Sequence, residues 1–298
     1  MSRLSKAWRS SRICARLRAR RFPKLLVIGA QKGGTSALFS YLAQHPRLAP
    51  SLYKEVSFFG SDLRYSWGLK WYAAQWDSEI PTRKLRFDVS PQYLLAPQAA
   101  GRIRLCMPQV KLVAVLRDPV ERAYSAWQMY RRQLADDPDF YRTLIRTHYS
   151  PEEQDRFEAR TDAEVNDFEL AVAREIESLE RGRSKEWSVV ELGLYGPQLA
   201  RYFELFPRKQ ILVFDSRDLR VNRIAVLNQI LQLIGLPEWD WSGANLDDVF
   251  VGQTQGSITQ GARDRLCDYC RESNDMLSRM LPEPPQFVRD IALSRQAA

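Results

Sequence analysis

"VIGAQKGGTSALFSYL", residues 27–42, runs from a continuous apolar stretch through a glycine-bearing loop into a segment with helical spacing. A strand that feeds a loop and then a helix sets unpaired backbone N–H groups and a positive dipole end at the strand's carboxyl end. Open α/β sheets collect anionic ligands there. Lys32 adds a positive charge, Gly33 and Gly34 let the backbone curl close to an anion, and Thr35 can donate a hydrogen bond or cap the helix. The nucleoside triphosphatase loop G-x-x-x-x-G-K-[ST] places its lysine after the glycines, beside a hydroxyl that holds magnesium. Here Lys32 precedes Gly33 and Gly34, and the loop is shorter. No strand ends in an acidic residue that convincingly serves as a metal partner. The expected ligand is a phosphorylated donor that does not need magnesium.

Outward from this stretch, "KLVAVL" (111–116) is a second branched apolar run of the kind buried on both faces of a parallel sheet, with "LRFD" (85–88) and "QILVF" (210–214) as weaker members. Helical patterns fall between them at 35–44, 120–132, 168–179, 197–206 and 223–234, the last closed by Gly235 and Pro237. Strands alternating with helices predict a doubly wound α/β fold, a single domain over 23–285. Residues 1–22 form a basic arm, 263–281 a C-terminal helical stretch and 286–298 a tail. The polar segment 135–167 is expected to form a helical or mobile excursion over the site.

The chain has 298 residues, 45% of them hydrophobic and 27% charged, with a net charge of +8. Eight Lys and Arg residues and no acidic residue lie in 1–22, which leaves 36 basic against 36 acidic residues elsewhere. A balanced body lacks the basic face of a nucleic-acid-binding domain. The arm's apolar residues do not share a helical face, so it reads as a flexible, solvated extension, with weak contact to a membrane surface as its second reading. No apolar run approaches the roughly 18 residues of a membrane span and no signal-peptide core is visible, so a soluble, cytoplasmic protein is expected. Cys267 and Cys270 in "CDYC" read as packed thiols, since His45 and His148 are the only histidines available to complete a zinc site. No metal is expected.

"AVLRDPVERAYSAW" (114–127) carries the second binding signal. It ends a buried strand at Arg117, sets Asp118 at a helix cap and Pro119 at the first helical position, and brings Ser125 nearly two turns in. Arg117 and Ser125 can converge on one phosphate, the guanidinium as a bidentate donor. With the first loop this makes two separate phosphate cradles.

The pair "QKGGTSAL" and "LRDPVERAYSAW" resembles the 5′-phosphosulfate loop and 3′-phosphate motif of sulfotransferases that use 3′-phosphoadenosine 5′-phosphosulfate (PAPS). More narrowly it resembles the branch of the heparan sulfate N- and 3-O-sulfotransferases and their bacterial relatives. "KEVSFFG" (54–60), "GLKWYAAQW" (68–76), "DVSPQYL" (88–94), "GLYGPQLARYFELFP" (193–207) and "ILVFDSRDL" (211–219) follow in the family's order, so the likeness covers roughly 24–280.

The resemblance implies sulfuryl transfer to a hydroxyl or amine of a carbohydrate or other small acceptor, with 3′,5′-adenosine diphosphate (PAP) as product. Lys32, Gly33, Gly34, Thr35 and Ser36 would hold the 5′ end of the donor, Arg117 and Ser125 its 3′-phosphate, and Glu55 would be the catalytic base. Lys32 would also stabilise charge on the bridging oxygen. A nucleoside-triphosphate kinase on a related fold and a non-catalytic nucleotide-binding protein are the alternatives.

The resembled 3-O-sulfotransferases carry arginine at the position of Ser36, histidine at Ser57 and lysine at Val89. Losing these basic residues weakens the case for a polyanionic acceptor. Their disulfide-closed C-terminal loop is not evident, and 250–262 is the candidate to cover the adenine instead. Trp71, Tyr72, Tyr93 and Tyr195 either line an acceptor cleft or belong to the core.

Overall fold

The computed structural model describes residues 22–81, 83–149, 151–249 and 256–290. In chain order the first half runs β1 (Leu25–Gly29), α1 (Thr35–Ala43), β2 (Leu48–Pro50), α2 (Asp62–Ser66), α3 (Gly68–Ala73), β3 (Leu85–Val89), α4 (Gln92–Leu95), α5 (Ala99–Cys106), β4 (Lys111–Leu116) and α6 (Pro119–Asp136). An excursion follows: α7 (Phe140–His148), α8 (Pro151–Gln154), β5 (Phe157–Glu158), α9 (Asp162–Asn166), α10 (Phe168–Glu180) and β6 (Ser184–Lys185). The chain then returns through α11 (Tyr195–Leu205), β7 (Ile211–Asp215), α12 (Ser216–Val221), α13 (Arg223–Leu233), α14 (Gln260–Tyr269) and α15 (Arg271–Met280).

Five strands form one parallel sheet in the order β2-β3-β1-β4-β7. Leu25 pairs with Phe87 on one side and Lys111 on the other, and Leu112 pairs with Ile211. The alternation of strand side chains divides the core. Leu25 and Val27 of β1, with Val113 and Val115 of β4, pack on Leu38 and Leu42 of α1 and on Leu227 and Leu231 of α13. Leu26, Ile28, Leu112 and Ala114 face the other way, toward Leu94, Ile103 and Leu199. Apolar residues on both faces of β1 and β4 are why those runs read as continuous rather than alternating.

The expected single α/β domain with a parallel sheet flanked by helices is the architecture observed. Several details differ. The edge strand β2 and the two-residue pair β5–β6 lie below the length at which periodicity speaks. The stretch 263–281 is broken at Cys270 into α14 and α15; Cys270 is buried and Cys267 exposed, so only one of the two thiols packs. Phe287 and Val288, expected in the tail, are 1% and 4% exposed and belong to the core. The segment 135–167, expected as a helical or mobile excursion over the site, is helical: it holds three helices, with Tyr141 in a core shared with α6 and α14. The basic arm through Arg21, with Cys14, and residues 250–255 of the candidate adenine cover lie outside the described residues.

Candidate active site

A cleft of about 890 Å³ opens at the carboxyl ends of β1 and β4. Lys32, Gly33, Gly34, Thr35, Ser36, Glu55, Arg117 and Ser125 all line it.

The loop after β1 is set by steric need. A Cβ on Gly33 would lie 2.3 Å from the Val115 carbonyl oxygen, so only glycine lets the loop lie against β4. Gly34 takes φ 105°, the left-handed region open to glycine, and turns the chain into α1. The cap is Gly34 itself with no side-chain hydrogen bond; Thr35 is the first helical residue and is buried, so of its two expected roles, hydrogen-bond donor or cap, it does not take the second. The N–H of Gly33 donates to the Ala30 carbonyl at 3.0 Å and so is not among the donors left to the cradle. Lys32 stands at φ 66°, its Nζ 3.6 Å from the Met129 sulfur. Burial, then the charges of Arg132, Arg117, Lys54 and Arg122, lowers its pKa from 10.5 to about 8. An ammonium so destabilised is suited to receive an anion.

Arg117 ends its run as read. Asp118 caps α6 by accepting from the N–H groups of Val120 and Glu121, both at 2.9 Å, and Pro119 follows as the first helical residue. The Tyr195 hydroxyl donates to the Arg117 carbonyl at 2.9 Å, holding the strand end. Arg117 lies 3.8 Å from Glu121, and burial pushes its guanidinium below the usual value.

Glu55 belongs to an irregular segment after β2. Glu55 and Ser57 have φ of 67° and 52°, positions that cost roughly 1–3 kcal/mol each for residues other than glycine. The surroundings hold them there. The Glu55 N–H donates to Val89 of β3 at 2.9 Å, the Ser57 N–H donates to the Ser90 hydroxyl at 3.0 Å, and Arg64 donates to the carbonyls of residues 55 and 56. The carboxylate itself is gripped at both oxygens, Oε1 by Lys54 Nζ and Oε2 by Gln92 Nε2 at 2.6 Å. Behind it, Asp88 accepts from Ser90, Tyr72 and Tyr93, and burial raises its pKa to about 6. Asp215, at the end of β7, accepts from the N–H groups of Arg217 and Gln286. Both strand-end carboxylates are thus engaged by protein donors.

The tyrosines resolve toward the core. Tyr72, Tyr93 and Tyr195 are fully buried and Trp71 packs beside them; none lines the cleft. Val89 is buried in the sheet, while Ser36 and Ser57 line the cleft. Sequence reasoning passed over Gln92, Arg220 and Arg223, which also line it. The signal for the arginines was their position just beyond β7, since ligands gather at strand carboxyl ends. Gln92 sits inside the quoted "DVSPQYL" and becomes informative only once it is seen against Glu55. Among the described residues no cluster suited to a metal ion occurs, and no helix is long and apolar enough to cross a membrane.

A family model described as "Sulfotransferase domain" matches residues 22–247. The chain is similar to bifunctional heparan sulfate N-deacetylase/N-sulfotransferase 3 of Homo sapiens, 26% identical over 92% of this chain and 31% of that protein. It is also similar to the bifunctional heparan sulfate N-deacetylase/N-sulfotransferase of Drosophila melanogaster, 28% identical over 84% of this chain and 23% of that protein. The chain therefore spans less than a third of the length of these relatives. Among solved structures, a sulfotransferase from Alicyclobacillus acidocaldarius superposes with a TM-score of 0.63 at 23% identity, covering 90% of this chain and 99% of that one, which shows the shared fold.

Proposed function

The chain belongs to the sulfotransferase family, and from that premise we propose that it is an enzyme that moves the sulfuryl group of PAPS to a hydroxyl or amine of a carbohydrate or other small acceptor. The observation that carries this reading is that Lys32 with the start of α1, and Arg117 with Ser125, two sets of side chains suited to hold phosphate, line one cleft together with Glu55. The donor set fits a nucleotide with an anion at each end. Lys32 and the first-turn N–H groups of α1 receive the 5′ end, and Arg117 and Ser125 receive the 3′-phosphate. The heparan sulfate relatives support a glycan acceptor.

The donor supplies an activated sulfur joined through a bridging oxygen to a phosphate. Glu55 takes the proton of the acceptor hydroxyl as the acceptor oxygen bonds to sulfur and the bond from sulfur to the bridging oxygen breaks. Lys32 neutralises the electron pair that stays on the departing phosphate, leaving 3′,5′-adenosine diphosphate. Lys54 and Gln92 keep the Glu55 carboxylate aimed. The chemistry asks of the protein chiefly positioning and charge stabilisation.

The test is a thermal-shift and calorimetric comparison of 3′,5′-adenosine diphosphate without metal against ATP with magnesium. The bisphosphate should stabilise the protein more. In Arg117→Ala its binding should weaken by roughly 2–4 kcal/mol, with a smaller loss for adenosine 5′-phosphate. Equal losses for both nucleotides, or preference for ATP with magnesium, would remove the proposed roles.

A further inference from the structure

The half of the cleft beyond Glu55 has a composition that bears on the acceptor. Helix α7 packs on α2, which follows directly from the Glu55 segment, and so brings the excursion to the acceptor side. From it Phe140, Leu144, Tyr149 and Phe157, all half-buried, line the cleft, with the Tyr149 and Phe157 ring centroids 4.9 Å apart. Leu95, Ala96 and Pro97, after the Gln92 turn that holds Glu55, add apolar surface to the same cleft.

With Lys32 and the Arg117, Arg220, Arg223 and Asp248 group set aside for the donor, the remaining charged lining residues are Lys54, Arg156 and Lys185 against Glu55, Glu186 and Glu191. Two of the cations are already engaged, Lys54 by Glu55 and Lys185 by Glu158 and Glu164 at 3.3 and 3.5 Å. A polyanion brought here would meet three carboxyl groups and few cations free to pair with it, whereas an apolar body would cover Phe140, Leu144 and Phe157 and gain by their removal from water.

We infer that the acceptor is an uncharged alcohol whose hydroxyl is carried on an apolar body, seated against the Phe140–Leu144–Phe157 wall. This rests on Glu55 marking the acceptor side of a sulfotransferase cleft. It assigns Leu144 and Phe157 to acceptor specificity and sets the reactive end of the acceptor apart from a sulfated or carboxylated polysaccharide.

The experiment uses the full chain loaded with 3′,5′-adenosine diphosphate and measures binding of methyl β-glucoside, octyl β-glucoside and a heparosan oligosaccharide by calorimetry at two salt concentrations. Each methylene fully removed from water strengthens binding about three- to fourfold, so octyl glucoside should bind at least about tenfold tighter than methyl glucoside even if only part of the chain is covered. The Leu144→Ala/Phe157→Ala double variant should lose most of that difference while its affinity for the bisphosphate nucleotide, which reports an intact fold, is unchanged. Equal binding of the two glucosides, no binding of either, retention of the difference in the double variant, or tighter and strongly salt-dependent binding of heparosan would each overturn the inference. The donor reading fails separately, by absence of nucleotide binding to the wild-type protein.

Discussion

Lys32 is a cation held where a cation is costly, and its titration gives the site a pH signature. Its folded pKa of about 8 is depressed from 10.5. The folded state therefore disfavours its protonation: stability from this group is present above 10.5, declines as pH falls toward about 8, and is lost below it. Anion binding reverses the preference, since it needs the charged form. The affinity for 3′,5′-adenosine diphosphate should thus fall roughly ten- to thirtyfold between about pH 7 and about pH 9.5 as Lys32 deprotonates. Lys32→Arg, charged throughout, should flatten that dependence in calorimetry at the two pH values; a wild-type profile already flat counts against the assignment. Gln92 offers a second residue-scale prediction. It holds Glu55 Oε2 at 2.6 Å and receives the Ser57 hydroxyl on its own oxygen at 3.3 Å. Gln92→Ala should lower kcat about 10- to 100-fold with nucleotide affinity unchanged, a fraction of the full general-base contribution. A matching loss of nucleotide affinity would show a general disturbance of the cleft instead.

Elements were legible to the degree that their signals are local. The runs at 24–29 and 111–116 became β1 and β4 because four or more consecutive apolar residues, most of them branched, suit burial on both sheet faces. The helix from 119 was announced by Asp118 and Pro119, a cap and a first-turn residue whose effects act within a few positions. The three-residue β2 carries Pro50 and the β5–β6 pair has two residues per strand, so neither makes a pattern. The junction of β1 and α1 gives the prediction at this scale. Gly33→Ala should force the loop off β4, since the added Cβ meets backbone at Val115 rather than a side chain that could turn away. The expected cost is about 1–3 kcal/mol of stability, accompanied by weaker nucleotide binding; denaturant unfolding and calorimetry would show both. Unchanged nucleotide affinity would mean that the cradle tolerates a displaced loop.

At the scale of the molecule, the fold closes with residues that composition alone assigned to a tail. Phe287 is 1% exposed in the cluster that contains Leu199 and Tyr202, and the Gln286 N–H donates to Asp215 at 3.0 Å beside the strand end of β7. Truncation after Pro285 should therefore cost about 3–5 kcal/mol, as loss of a buried phenylalanine does, and lower Tm by at least about 6 °C. A truncated chain with unchanged Tm would return these residues to the tail. Phe287→Ala in the full chain separates the side chain's share from that of the backbone.

The sequence by itself determined the parallel α/β fold, the family, and which eight residues would face one cleft, because apolar runs, helix caps and glycine-lysine order act through neighbours a few positions apart. Tertiary structure alone decided that Tyr72, Tyr93 and Tyr195 are core, that the Gly33 N–H is turned inward to Ala30, that Gln92 holds Glu55, and that Phe140, Leu144, Tyr149 and Phe157 line the same cleft as Glu55. Each of these depends on which distant segments pack together, or on where one backbone group points. Proximity of that kind is set by packing in three dimensions and leaves no periodic trace along the chain.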